Sequence, residues 1–208
     1  MGNFQWTLHE GKFLTTKEIR KLRKVLTERK EIAEGKRNRV AVRDWFVIDL
    51  ALSTGLRVQE IADLKCGDIS VNDNLCYLFV NNGKGHKKRV VRFNGAFKNH
   101  FLNYLEWKQR IGEGISPEDP LIVSSNTQSH LTKMALQKTF YRSAKRAGIR
   151  GHSIHHLRHT YASHLYKASG FNLRLVQKQL GHGSIKTTEV YTDVFIEDME
   201  KALERLYA

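Results

Sequence analysis

Gly151-His152-Ser153-Ile154-His155-His156-Leu157-Arg158-His159-Thr160 is the stretch on which the reading of this chain turns. Ser153 stands where a helix N-cap accepts a backbone hydrogen bond, and a helix opening there sets His155 and Arg158 three residues apart on one face. A titratable base and a permanent cation then point the same way. Downstream, Leu180-Gly181-His182-Gly183 brings His182 to nine residues before Tyr191, a spacing that on one unbroken helix turns the two to opposite sides. Gly183-Ser184 offers a break, and a helix starting at Ser184 frees His182 to converge on the same point as the phenol. Upstream, Thr54-Gly55-Leu56-Arg57-Val58-Gln59-Glu60 sets Arg57 at the first turn of a helix, with Glu60 one turn along to fix the guanidinium by an ion pair.

Around these segments the pattern is mainly helical. Thr15 with Glu18 makes a capping box for a helix that runs to about Glu34, with Ile19, Leu22 and Leu26 as its apolar stripe and Lys17, Arg20, Lys21, Arg23, Lys24, Arg29 and Lys30 around the remainder. That charged remainder fits either a solvated face or one turned to a polyanion. The dense apolar run from Val40 to Leu52 predicts a buried helix ended by Ser53-Thr54-Gly55, and another short helix spans about Leu56 to Lys65. Three β-prone runs follow, at Ile69 to Val71, Leu75 to Val80 and Arg89 to Phe93. Asn82-Gly83-Lys84-Gly85 between the last two reads as a hairpin turn that lifts Lys84 clear of the sheet. Further helices are expected at about 95–110, 132–147, 154–168, 172–180, 184–191 and 195–206. The fold class is therefore mainly α with a small antiparallel three-stranded sheet.

Thirty-five Lys and Arg against 21 Asp and Glu leave a formal charge of +14 on 208 residues, which points to a polyanionic partner. The longest apolar run, near Trp45 to Leu52, is interrupted by Asp49, so no membrane span is expected. Met1-Gly2 opens like a myristoylation signal, but Trp6 occupies the place of its Ser or Thr. Cys66 and Cys76 lack metal-ligand spacing and read as packed thiols of a reducing compartment.

Gly55-Leu56-Arg57 with Glu60, Gly83-Lys84-Gly85 before a strand, His155-x-x-Arg158, and Leu180-Gly181-His182 ahead of Tyr191 together resemble the tyrosine recombinase, or phage-integrase, family over roughly residues 14 to 200. The resemblance implies that family's catalytic-domain fold for residues 14–208, behind a tail at 1–13 and without the separate N-terminal domain that most members carry. It implies a site-specific recombinase that cleaves and rejoins DNA through a 3′-phosphotyrosine link. In that scheme Tyr191 is the nucleophile, Lys84 the general acid toward the leaving 5′ oxygen, and His155 the general base. Arg57, Arg158 and His182 hold the phosphate, with Glu60 and His159 in support. The implied partner is double-stranded DNA, bound by a homotetramer whose protomers are free to be monomers in its absence. No cofactor and no metal is implied, and the expected location is the cytoplasm, at the nucleoid.

With no N-terminal clamp, phosphate contacts fall to the basic helix at 16–34, to Lys36-Arg37-Asn38-Arg39, and to Lys87, Lys88, Arg89 and Arg92. The helix at 132–147, with Lys133, Lys138, Arg142, Lys145 and Arg146, is the first candidate for reading bases. The C-terminal stretch is acidic, and Phe195, Met199, Ala202 and Leu206 share one face of its expected helix, suited to the protomer's own core or to a neighbour's pocket.

Elementary chemistry agrees with this assignment. A free tyrosine has a pKa of about 10, so only about one in a thousand is ionised at neutral pH, and it needs a base or strong cations beside it. One pre-aimed donor to a charge developing in the transition state is worth about 3 to 4 kcal/mol, and two arginines and a histidine supply several. The competing reading of the histidines is a metal site, because His155 and His159 are four apart on a helix. No acid between His152 and Lys186 offers a third ligand. Two other functions fit the charge: a type IB topoisomerase, whose family has lysine where His155 stands, and a DNA-binding regulator without catalysis.

Overall fold

Helix α1 (Thr16–Glu34) begins as its capping box dictates: Glu18 accepts the Thr15 backbone N–H at 2.8 Å and its own N–H donates back to the Thr15 hydroxyl at 3.3 Å. The computed structural model describes residues 10–34, 38–72, 75–81, 88–182 and 186–189. Lys36-Arg37, the expected hairpin turn carrying Lys84, Lys87, Tyr191 and the expected terminal helix with its acids beyond Glu189 lie outside the described residues. Residues 10–12, read as tail from sequence, form a 3-10 turn, and Leu14 is fully buried with its N–H on the Thr160 hydroxyl at 2.8 Å.

Helix α2 (Arg39–Thr54) is the centre of the molecule, buried on nearly every face and packed against α1 and against later helices. Phe46 stacks on Tyr104 with ring centroids 3.8 Å apart and on Phe97 at 6.0 Å, which binds α4 (Gly95–Arg110) to it. A helix enclosed on all sides must neutralise its polar residues locally. Asp49 takes Arg23 at 3.0 Å and His100 at 2.7 Å, and Asp44 takes Thr139 at 3.0 Å and Arg142 at 3.2 Å from α5 (Lys133–Arg146). Gly55 ends α2 in the left-handed region, φ 64°, where any β carbon would collide with the Tyr161 ring.

After α3 (Val58–Asp63), strands β1 (Ile69–Val71), β2 (Cys76–Val80) and β3 (Arg89–Arg92) form an antiparallel meander in that order. Leu78 pairs with Ile69 on one side and Val91 on the other, and all three are buried on the core face. Cys66 is a buried free thiol and Cys76 a half-buried one.

Helix α6 (Ile154–Ala168) crosses α2, and α7 (Leu173–Leu180) folds back on α6 through a small apolar cluster of Ala162, Tyr166, Val176 and Leu180, joined by Phe13 and Leu165. This cluster fixes where α7 ends. It ends at Leu180, with Gly181 left-handed at φ 68° and its N–H on Gln177 O at 2.9 Å. That end is where the sequence pattern put it, at about residue 180, with Gly181 as the left-handed C-cap; Gly183-Ser184, the break expected before the next helix, lie outside the described residues. Helix α8 is described over Lys186–Glu189. No helix among the described residues is long and apolar enough to cross a membrane.

Candidate active site

Arg57 is the N-cap of α3 rather than a residue of its first turn, with extended backbone at φ −71° and ψ 151°. Its N–H donates to Glu60 Oε2 at 2.8 Å and its guanidinium to Oε1 at 2.8 Å, the ion pair expected from the spacing. Glu60 also receives both terminal nitrogens of Arg89, at 2.8 and 2.7 Å. Burial alone would push the Glu60 carboxyl up, but the hydrogen bonds and charge of Arg89, with those of Arg57, outweigh it and bring it down to about 2 from 4.5. One buried carboxylate thus holds two guanidinium groups.

Arg158 is buried on α6 and joins two helix ends: it donates to Gly55 O at 2.6 Å and to Leu180 O at 2.9 Å. Both carbonyls sit at helix C-termini, where the macrodipole favours a cation. His182 follows the Gly181 turn, with Nδ1 2.9 Å from the Thr188 hydroxyl. Burial, then the charges of Arg158, Arg57 and Arg89, then His159, bring its pKa down to about 4 from 6.5. At neutral pH His182 is therefore uncharged and acts as a hydrogen-bonding group rather than a cation. His159 is likewise brought to about 4 by burial, His156, Arg158, His155 and Lys12.

The structure therefore brings Arg57, Glu60, Arg158, His159 and His182 into one basic centre. His155 is exposed one turn ahead of Arg158 on α6. Among the described residues no group of three or more His, Cys, Asp or Glu could hold a metal. Lys84 and Tyr191 lie outside the described residues.

Arg89 departs from its expected place among the outward DNA contacts. Its side chain is only 11% exposed, because it points inward with Val91 while Lys88, Val90 and Arg92 are exposed. That period of two was present in the sequence, hidden by the run of basic neighbours. Lys133, Lys138, Lys145 and Arg146 are exposed on α5, whereas Arg142 is half-buried against Asp44. Thr188 and the carbonyls of Gly55 and Leu180 carried no signal readable from composition or spacing.

The model describing the phage integrase family matches residues 12–197. Tyrosine recombinase XerA of Pyrococcus furiosus is 31% identical over 198 residues, covering 93% of this chain and 61% of the relative. Tyrosine recombinase XerD of Oceanobacillus iheyensis is 34% identical over 185 residues, covering 86% and 61%. The chain thus spans about three-fifths of the length of these relatives. Among solved structures, the XerH site-specific recombinase bound to a palindromic difH substrate superposes with a TM-score of 0.73 at 25% identity, over 94% of this chain and 53% of that one. A lambda integrase dimer bound to a COC′ core site shares the fold, with a TM-score of 0.60 at 23% identity, over 86% and 47%. A mainly helical domain with a three-stranded meander, a basic centre built on Arg57, Arg158 and His182, and a family match over nearly the whole chain lead to one assignment: this chain belongs to the phage integrase family.

Proposed function

We propose that this chain is the catalytic unit of a site-specific tyrosine recombinase, residues 14–208, acting on double-stranded DNA. The observation that carries the reading is the meeting of Arg57, Arg158 and His182, from three separate elements, with the guanidinium groups held by Glu60 and by backbone carbonyls. Two fixed cations and a neutral donor suit a phosphodiester whose non-bridging oxygens gain charge during attack.

Tyr191 loses its proton to His155 as its oxygen attacks phosphorus, the bond to the 5′ oxygen breaks, and Lys84 protonates that leaving oxygen. A 5′ hydroxyl of a partner strand then attacks the phosphotyrosine and restores a phosphodiester, releasing the phenol. One ester is exchanged for another, so no energy source enters the balance. Exchange between two duplexes calls for four protomers, and the homotetramer is part of the proposal. Lys88 and Arg92 at the sheet edge and Lys133, Lys138, Lys145 and Arg146 on α5 supply the duplex contacts.

The test is incubation with a pool of randomised duplexes carrying scattered nicks, which let the leaving strand diffuse away and trap the adduct. A denaturant-resistant protein–DNA species that disappears in Tyr191→Phe is expected. Absence of any adduct across the pool, or an adduct retained by Tyr191→Phe, overturns the reading. Relaxation of supercoiled plasmid without recombinant product replaces it by the topoisomerase reading.

A further inference from the structure

Arg89 has a strand position that suggests a DNA contact and surroundings that do not allow one. Both terminal nitrogens are taken by Glu60, and its Nε is buried with no partner among the described residues. The aliphatic stem lies against Gly181, so close that a β carbon added there would run into Arg89 Cδ and come within 2.8 Å of its Nε. Gly181 is the last residue before His182, and Glu60 is also the anchor of Arg57. One side chain from β3 therefore touches both halves of the basic centre: the carboxylate that aims Arg57 and the turn that presents His182.

We propose that Arg89 is a positioning residue of the cleavage site, spacing Arg57 from His182 through Glu60 and Gly181, and that it makes no contact with DNA. The inference rests on the recombinase reading above. Arg57 alone would hold Glu60 through one guanidinium nitrogen and its backbone N–H, leaving the carboxylate free to swing about that edge. The two parallel bonds from Arg89 define the carboxylate plane, as a planar fork does and a lysine cannot. On its other side the stem is a wall that allows the left-handed Gly181 turn and no bulkier one. Because Arg89 is nearly sealed from solvent, its charge is little screened and reaches His182 together with those of Arg158 and Arg57.

Arg89→Met and Arg89→Lys in the full chain separate this role from a DNA contact. Three quantities are read: the salt dependence of duplex binding, the rate of adduct formation on the nicked pool, and the titration of the His182 ring by NMR in the free protein. With Arg89→Met the adduct rate falls by roughly a hundredfold, comparable to loss of one aimed donor, and the salt slope is unchanged. The His182 titration midpoint rises from about 4 toward the ordinary histidine range as one of its cations is removed. Arg89→Lys keeps the charge and loses the fork, so the midpoint stays low while the rate remains depressed. If Arg89→Met fails to fold, Arg89→Lys is decisive on rate and salt slope. A salt slope reduced by about one with an unchanged adduct rate makes Arg89 a phosphate contact and overturns the proposal. An unchanged rate with an unmoved His182 midpoint overturns it as well. If wild type forms no adduct, the recombinase reading fails, while the His182 titration still tests whether Arg89 governs that histidine.

Discussion

Thr188 Oγ1 lies 2.9 Å from His182 Nδ1, joining a fully buried hydroxyl of α8 to the ring in the basic centre. A neutral imidazole carries a single proton, and the partner of one nitrogen decides whether the other can donate. With the hydroxyl donating to Nδ1, the proton resides on Nε2 and is available to an anion. Thr188→Val keeps the shape and removes the hydroxyl. Its single-turnover cleavage should be slower by about five- to tenfold, the equivalent of one hydrogen bond of about 1 kcal/mol, with DNA affinity unchanged and Thr188→Ser close to wild type.

Glu60 gives the acid limb of stability a specific origin. Its carboxyl titrates at about 2 in the folded protein against an ordinary 4.5. A depressed carboxylate contributes stability that is fully present above about pH 4.5 and is lost as pH falls through about 2. The shift corresponds to about 3 kcal/mol. Urea unfolding across this window should show that loss in wild type and a much flatter response in Glu60→Gln. At neutral pH the variant should be destabilised by about 3 kcal/mol, because two clustered guanidinium groups lose their counter-ion.

Two left-handed glycines separate backbone strain from site geometry. Gly112 has φ 76° and open space around a built β carbon, while Gly181 has φ 68° and faces the Arg89 stem. Either alanine substitution costs about 1 kcal/mol for the backbone conformation, read as a lowered Tm. Gly112→Ala should cleave nicked DNA at the wild-type rate. Gly181→Ala should lose a further increment of stability and most of its cleavage, since Arg89 and His182 must move apart.

On α5, Lys133, Lys138, Lys145 and Arg146 are exposed, and alanine at a residue that meets a phosphate should lower the slope of log affinity against log salt by about one. Arg142→Ala should differ in kind. Asp44, buried in α2, loses a partner at 3.2 Å, so thermal stability drops as well. Fluorescence anisotropy over a salt series, paired with thermal denaturation, reads both effects.

Local chemistry made much of this legible in the sequence. The Thr15–Glu18 box, the Gly55 stop, the three β-prone runs and the Arg57–Glu60 pair each depend on neighbours within a turn or a strand, and each is found where the pattern put it. The inward turn of Arg89 was not legible, because its partner Glu60 is 29 residues away and its basic neighbours masked the alternation. Asp49 was visible as a polar interruption, but Arg23 and His100, which neutralise it, come from other helices. Helix α7 ends at Leu180, where the pattern put it, with Gly181 as its left-handed cap. Lys84 and Tyr191 rest on the family resemblance.

Arg158 fastens the end of α2 to the end of α7, so removing its guanidinium unpins two helices as well as discharging the pocket. On the proposed mechanism, a version of this domain meant to grip DNA without cutting it is better made at the phenol, by Tyr191→Phe, than at this arginine. A lysine there would keep the charge but lose the two separate nitrogens that now reach one carbonyl each, and so loosen the seam between the helices.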